Sequence, residues 1–291
     1  MSKVLEEETA LTREADGRYV REVGPGPFWG VVTPHGGFLM ALAMHAMMRE
    51  VDDAARRPRV LSQHFLGSVK PGPLVIDVTV ERVGRGVTSV SARLSSNDRL
   101  VGLATALFSL DAEGPDFLDE PMPEVVGPDE PDTEMLGFFV ATVHDQFEFH
   151  RRFGDGGRAL PCEGGGWVKS RHPGAWDARD ARVASDVWVP PIIRHPDRVC
   201  ATPSLHHVVH FGPDVAGDEA TPILVHHKLT NGGAGLTDES IRLWAEDGRM
   251  LMSARQLRTV VAPEKALGRE LDQNALDEAE KSHDEIRTDR D

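Results

Sequence analysis

The chain has 291 residues, of which 40% are hydrophobic, and a formal net charge of −15, which is room for about two domains, each able to bury a core. A field of that sign repels nucleic acid and anionic membrane surfaces, and an anionic ligand would depend on a local cluster of arginines. Cys162 and Cys200 are too few for a disulfide framework and form no CxxC pair, so both read as buried thiols. No apolar run of membrane-spanning length is present and the N-terminal residues lack the apolar core of a secretory signal, which reads as a cytoplasmic protein.

The first marked element in chain order is residues 33–51, TPHGGFLMALAMHAMMREV. It opens with His35-Gly36-Gly37 and then carries Phe38, Leu39, Met40, Leu42, Met44, Met47 and Met48 on all sides, where a surface helix would keep a charged face. Such a helix has to be wrapped. Four runs follow, RVLSQHFLGSV, PLVIDVTVERVGR, GVTSVSARLSSNDR and LVGLATALFSL. They are rich in Val, Thr and Leu and are broken by Pro-Gly or Asn-Asp turns, the pattern of an antiparallel meander. From residue 111 to about 142 the composition shifts to Pro, Asp and Glu without any period, which reads as a linker on the surface.

Beyond the linker the plan repeats: strands, a short helix, then strands again. Setting NDRLVGLATALF over DGRMLMSARQLR puts Arg99 on Arg249, Ala104 on Ala254 and Ala106 on Gln256. In the same comparison His35-Gly36-Gly37 corresponds to Ser185-Asp186-Val187, read as the start of a second helix. The expected organisation is therefore residues 1–111 as one unit, 112–145 as linker, 146–262 as a second unit and 263–291 as a charged, disordered tail. EGGGW at 163–167 and NGGAG at 231–235 lack the context of a nucleotide fingerprint and read as turns, the second as a hairpin tip.

A helix wrapped by antiparallel sheet, twice in one chain, is an α+β arrangement. The segments HGGFLMALAMHAM, FLGSVKPGPLVIDVTVERVGRG, ASDVWVPP, PSLHHVVHF and GRMLMSARQL, in this order and spacing, resemble the acyl-CoA thioesterase II family over residues 21–261. The resemblance implies a double hotdog fold and an acyl-CoA substrate. It also implies three site residues: an Asp at the start of the second helix, a Ser or Thr on the next strand and a Gln on the last, here Asp186, Ser204 and Gln256. Whether the chain forms a homodimer or a higher homo-oligomer is left open.

Thioester hydrolysis requires a water held against an electrophilic carbonyl, a group to take its proton and donors for the oxyanion. Asp186 would be the base, Ser204 and Gln256 would orient the water, and a backbone N–H at a helix start would polarise the carbonyl; no metal or cofactor is needed. Each residue has a plainer reading. Asp186 could be an N-cap, Gln256 a solvent-facing strand residue, and Thr202 stands in reserve for Ser204. His35, Gly36 and Gly37 would line the substrate site, with the glycines allowing a close-packed helix entry; alternatively His-Gly-Gly carries a site of its own. Arg194, Arg198, Arg255 and Arg258 are the candidates for the CoA phosphates. The first unit, with Ala106 for Gln256, would only shape the acyl tunnel, for example through Met44 and Met47.

The paired histidines, 206–207 and 226–227, cannot share one metal ion, because adjacent strand residues point to opposite faces. They read as sheet or groove residues. Two other functions remain open: an enoyl-CoA hydratase, which would need a His paired with the Asp, and a non-catalytic acyl-CoA or lipid-binding module.

Overall fold

The computed structural model describes residues 3–30, 33–115, 120–130, 141–154, 162–194, 200–213, 215 and 221–262. The readings of the charged tail, of part of the linker and of Arg198 lie outside the described residues, and of Arg194 only the backbone is described.

The chain begins with α1 (Lys3–Glu8), β1 (Thr12–Ala15) and β2 (Arg18–Val23), followed by α2 (Gly36–Val51) and the meander β3 (Arg57–Phe65), β4 (Gly72–Val83), β5 (Val87–Ser96) and β6 (Arg99–Ser109). After a 3-10 turn, Thr142–Gln146, come β7 (Phe147–Phe153), β8 (Glu163–Ser170), α3 (Ala178–Ala184) and a second 3-10 turn, Pro191–Arg194. The chain then runs through β9 (Ser204–Phe211), β10 (Ile223–Gly233), β11 (Leu236–Ala245) and β12 (Met250–Thr259).

All twelve strands join one antiparallel sheet in the order β1-β2-β4-β5-β6-β3-β9-β12-β11-β10-β8-β7. Read outward from the β3–β9 seam, each strand of one half faces its counterpart six places later in the other, so the halves are related by a pseudo-two-fold. The axis passes through the Ser62–Val208 pair. This is the double hotdog arrangement, with one shared core around α2 and α3.

Helix α2 is apolar all round because it has no solvent side. From Gly37 to Met47 almost every residue is buried, with β3 to β6 curling about it and α3 packed against it. Asp52, in a left-handed conformation with φ 48°, ends it. The β5–β6 hairpin turns on Asn97 and Asp98, φ 50° and 59°, a two-residue turn that requires both residues to be left-handed. Ala234 and Gly235 do the same between β10 and β11, so NGGAG is a hairpin tip as expected.

Two expectations are corrected. EGGGW is not a turn but the first part of β8. A Cβ at Gly165 would lie 2.1 Å from the Val225 carbonyl oxygen, and one at Gly166 2.1 Å from that of His150, so the glycines let β10 and β7 approach. Asp186 does not open the second helix either. Asp177 does, with a reciprocal capping box to Asp180, and Asp186 follows the helix end at Ser185. Pro190 and Pro191 keep the following segment from continuing it.

The described part of the linker lies on the sheet face turned away from the main core. There Met122 and Val125 pack on Trp167, Leu224 and Trp244. Trp167 Nε1 donates to the Val126 carbonyl at 2.8 Å.

Candidate active site

The site is assembled where the start of α2 meets the end of α3. His35 precedes α2 in extended backbone and does not cap it with its side chain, so the N–H groups of the first turn lack intrahelical partners. Gly36 and Gly37 follow because a side chain at either position would crowd its neighbours. A Cβ at Gly36 would lie 2.9 Å from Asp186 Oδ2, and one at Gly37 would lie 3.1 Å from Val183 Cα and 3.3 Å from the Arg182 carbonyl oxygen. The close-packing reading of both glycines therefore holds, and Gly36 also places the positive end of a sixteen-residue helix against a carboxylate.

Asp186, expected as the base, is buried. Its Oδ1 accepts a hydrogen bond from Arg258 Nη2 at 2.7 Å. Oδ2 lies 3.8 Å from His35 Nε2 and 3.9 Å from Arg182 Nη2. Burial alone would raise this carboxyl, but the Arg258 guanidinium, with His35 and Arg182, outweighs it and holds the group well below the usual carboxylate range. Arg258 also reaches Glu239 Oε2 through Nε at 3.2 Å, the Thr202 carbonyl at 3.3 Å and Ser204 Oγ at 3.4 Å.

Gln256 is fully buried, not solvent-facing, and its Nε2 donates to Ser204 Oγ at 2.7 Å. Ser204 is the hydroxyl bonded to Gln256, while Thr202, whose carbonyl accepts from Arg258, lines the same cavity as Ser204. Gln256 is bonded to Ser204, Arg258 bonds both Ser204 and Asp186, and Gln256 itself is not among the lining residues of that cavity.

A cavity of about 460 Å³ opens onto this cluster, lined by Asp186, Ser204, Arg258, His35 and Gly36 and by apolar residues including Leu39, Phe65, Trp188 and Ile193. Met44 and Met47, expected to shape it, are buried inside the core and are not among its lining residues; Leu39, Phe65 and Leu66 supply large apolar side chains from the first half. His35 donates from Nε2 to the Asp186 carbonyl oxygen at 3.0 Å. Burial lowers its pKa to about 4, so it is neutral at pH 7.

Of the four arginines proposed for CoA, Arg258 is committed to Asp186 and Glu239. Arg255 lies on the opposite face of β12, exposed and paired with Asp238 at 2.8 Å. It is not at the site, because strand alternation turns it outward when Gln256 and Arg258 turn inward.

Behind the cavity lies a polar layer that the sequence reading missed. Arg182 is wholly buried and donates to Ser185 Oγ at 2.6 Å and His207 Nδ1 at 2.8 Å. His227 donates to the Ser185 carbonyl at 3.0 Å, and Glu239 is buried beside Arg258. In each histidine pair one ring points inward and the other outward, as alternation requires: His206 bonds Ser62 and His226 bonds Glu163.

The ladder registers identify the first-half counterparts. Leu61 pairs with Ala106 as His207 pairs with Gln256, and Val90 pairs with Ala106 as Glu239 pairs with Gln256. Pro58 pairs with Phe108 as Ser204 pairs with Arg258, and Val78 stands where His227 does. The inward positions Leu61, Val78, Val90, Ala106 and Phe108 are apolar and buried. Their equivalents His207, His227, Glu239, Gln256 and Arg258 are polar and equally buried. Laying the two halves over one another at all inward positions, and not only at Gln256, would have revealed the layer.

Family models describe the chain over most of its length, as an acyl-CoA thioesterase N-terminal domain over residues 12–109 and an acyl-CoA thioesterase C-terminal domain over residues 119–260. The chain belongs to the acyl-CoA thioesterase family. It is by that membership a thioester hydrolase. Its fold is similar to that of a hotdog protein of unknown function from Alicyclobacillus acidocaldarius, with 21% identity, a TM-score of 0.79, and coverage of 90% of this chain and 100% of that one. The tesB protein of Mycobacterium avium subspecies paratuberculosis matches with 18% identity and a TM-score of 0.74 over 88% and 98% of the two chains. An acyl-CoA thioesterase II from Mycobacterium marinum matches with 18% identity and a TM-score of 0.72 over 90% and 99%. At these identities the structural likeness speaks for the fold alone. No curated protein matches the chain.

Proposed function

We propose that the chain hydrolyses the thioester bond of an acyl-CoA at the cavity between α2 and α3, once per chain. The observation that carries this reading is that Asp186 and Ser204 line one cavity beside an uncapped helix start, with Gln256 bonded to Ser204 from behind. A water held by Asp186 Oδ2 and Ser204 attacks the carbonyl carbon, and its proton passes to the carboxylate as the C–O bond forms. The oxyanion is met by N–H groups at the start of α2. Collapse breaks the C–S bond, and the thiolate leaves and takes up a proton, giving a carboxylic acid and free CoA thiol. A carboxylate with so low a pKa is a weak base, so its contribution is chiefly the placement of the water.

The test is a panel of acyl-CoA substrates read by release of free thiol, on the wild type and on Asp186→Asn. The substitution should lower kcat by about 10²-fold, the cost of a misplaced water at the reacting centre. Binding without turnover in the wild type would instead make the protein an acyl-CoA-binding module. Hydration of an enoyl-CoA would favour the hydratase reading, to which the structure lends His35 beside Asp186.

A further inference from the structure

A carboxylate at the end of a helix can turn either oxygen toward a ligand, and here one of the two is fixed from behind. We infer that Arg258, itself held by Glu239, is a positioning residue: it clamps Asp186 Oδ1 and leaves Oδ2 as the oxygen turned to the cavity and the start of α2. The inference rests on the reading of Asp186 as the carboxylate that holds the water.

The geometry supports a line of three charges. Arg258 Nη2 stands 2.7 Å from Asp186 Oδ1, and Arg258 Nε stands 3.2 Å from Glu239 Oε2. Nη1 reaches Ser204 Oγ at 3.4 Å, so the same side chain sets the hydroxyl relative to the carboxylate. On the other side of Asp186, Oδ2 lies against the position of a Gly36 Cβ. Arg182, 3.9 Å from Oδ2, is too far for a hydrogen bond, which leaves Arg258 as the direct clamp.

Stability does not account for the arrangement. Removing two charges from water costs free energy that the pair need not recover, and apolar residues of similar volume serve as well or better. The first half shows this within the same chain, where Phe108 and Val90 fill the places of Arg258 and Glu239 in a fully buried core. A pair that the fold does not need, in contact with the site, points to a role in the chemistry.

The groups facing Asp186 are Arg258 from β12, Arg182 from α3, His35 from the segment before α2 and His207 from β9, with Glu239 and His227 beyond Arg258. Without Arg258 the balance shifts toward burial, the carboxyl titrates higher, and the acid limb of kcat/KM moves to higher pH.

The experiment measures kcat, KM and the pH profile with an acyl-CoA that the wild type hydrolyses, on R258K, R258M, E239Q, D186N and the double variant D186N/R258M. R258M should lower kcat by at least about tenfold with little change in KM, because small misplacements at a reacting centre cost up to about 10²-fold. Its acid limb should move upward, R258K should recover most of the loss, and E239Q should show a smaller loss in the same direction. In the D186N background R258M should add almost nothing, since Arg258 acts through Asp186.

A full additional loss in that background, or a rise in KM alone, would mean that Arg258 meets the substrate itself and would overturn the inference. Should R258M fail to fold, E239Q decides: a wild-type kcat in that variant overturns it. Wild-type turnover in D186N would instead remove the reading of Asp186, and the inference with it, whereas failure confined to the Arg258 arm leaves that reading standing.

Discussion

Gly36→Ala separates the packing at the site from the stability of the fold. The added methyl would lie 2.9 Å from Asp186 Oδ2 and 3.7 Å from Phe65 Cζ. Ordinary contact begins near 3.4 Å, so the carboxylate has to retreat by about 0.5 Å while its other oxygen stays tied to Arg258 at 2.7 Å. Turning a side chain off its rotamer costs about 0.5–1.5 kcal/mol, and replacing a helical glycine by alanine returns roughly 0.5–1 kcal/mol. The two nearly cancel, so Tm should move by no more than a few degrees. Catalysis has no such compensation: an ångström of misplacement can cost about 10²-fold, so half of that should lower kcat by roughly tenfold. Thiol-release kinetics and a thermal melt on the same preparation check both numbers. Wild-type kcat with an intact fold would show that the Asp186 carboxylate can move without consequence, and it would refute its placement at the reacting centre. Gly37→Ala is the contrast. Its methyl meets the α3 backbone at Val183 and Arg182, so the helices must part, at a cost of about 1–3 kcal/mol in stability.

Ser204→Ala and Gln256→Ala should each lower kcat, and together by less than the product of their separate effects, because Gln256 Nε2 reaches the site only through Ser204 Oγ; multiplicative losses would show that they act independently. Phe65→Ala enlarges the cavity wall and should shift the preferred acyl chain to longer lengths in the thiol-release panel, whereas Met44→Ala, deep in the core, should lower Tm without changing the preference. Stability should fall as pH drops below 6.5. Burial holds His35 down to about 4 and His227 to about 3, so in this window the unfolded chain binds protons that the folded one does not, with a slope of up to about 1.4 kcal/mol per pH unit for each histidine. Asp186, with a depressed pKa, adds nothing there: its contribution is present above the unfolded value near 4 and is lost only at lower pH. Denaturation midpoints at pH 7.5 and 5 that coincide would contradict the assignment of neutral buried histidines.

The fold was legible where a residue's environment shows in its neighbours' chemistry. The all-round apolar α2 could only be a wrapped helix, and the Asn97-Asp98 and Ala234-Gly235 turns follow from the left-handed backbone they require. The glycines of β8 misled because a strand that needs glycine for close approach reads the same as a turn. Asp186 was found by its motif but placed at the wrong end of the helix, since Asp at a helix start is so common that the true cap, Asp177, was overlooked. The arginines were judged by closeness in sequence, which does not register that Arg255 and Arg258 leave β12 on opposite faces. Glu239 and Arg182 were missed, and His227 was read only as a sheet or groove residue, because burial of a polar or charged group depends on strands far apart in the chain.

Each half starts a helix that packs on the other, yet the chain treats the two helix starts oppositely. At α3 the first-turn N–H groups are occupied by Asp177, whose carboxylate accepts from Arg179 and Asp180, while Asp180 answers to the backbone of Asp177. At α2 the flanking residue is His35, whose side chain makes no cap and bonds instead across the seam to the Asp186 backbone. A capped helix start has its donors satisfied, and an uncapped one beside a cavity retains them for a ligand. The inner strand faces divide in the same way, with Leu61, Val90 and Phe108 closing the first half and His207, Glu239 and Arg258 opening the second. The donors, the Gly36 gap and the walls at Leu39 and Phe65 come from the first half, and the charges and the hydroxyl come from the second. In the proposed reading neither half alone supplies the site, and the one centre takes its groups from both.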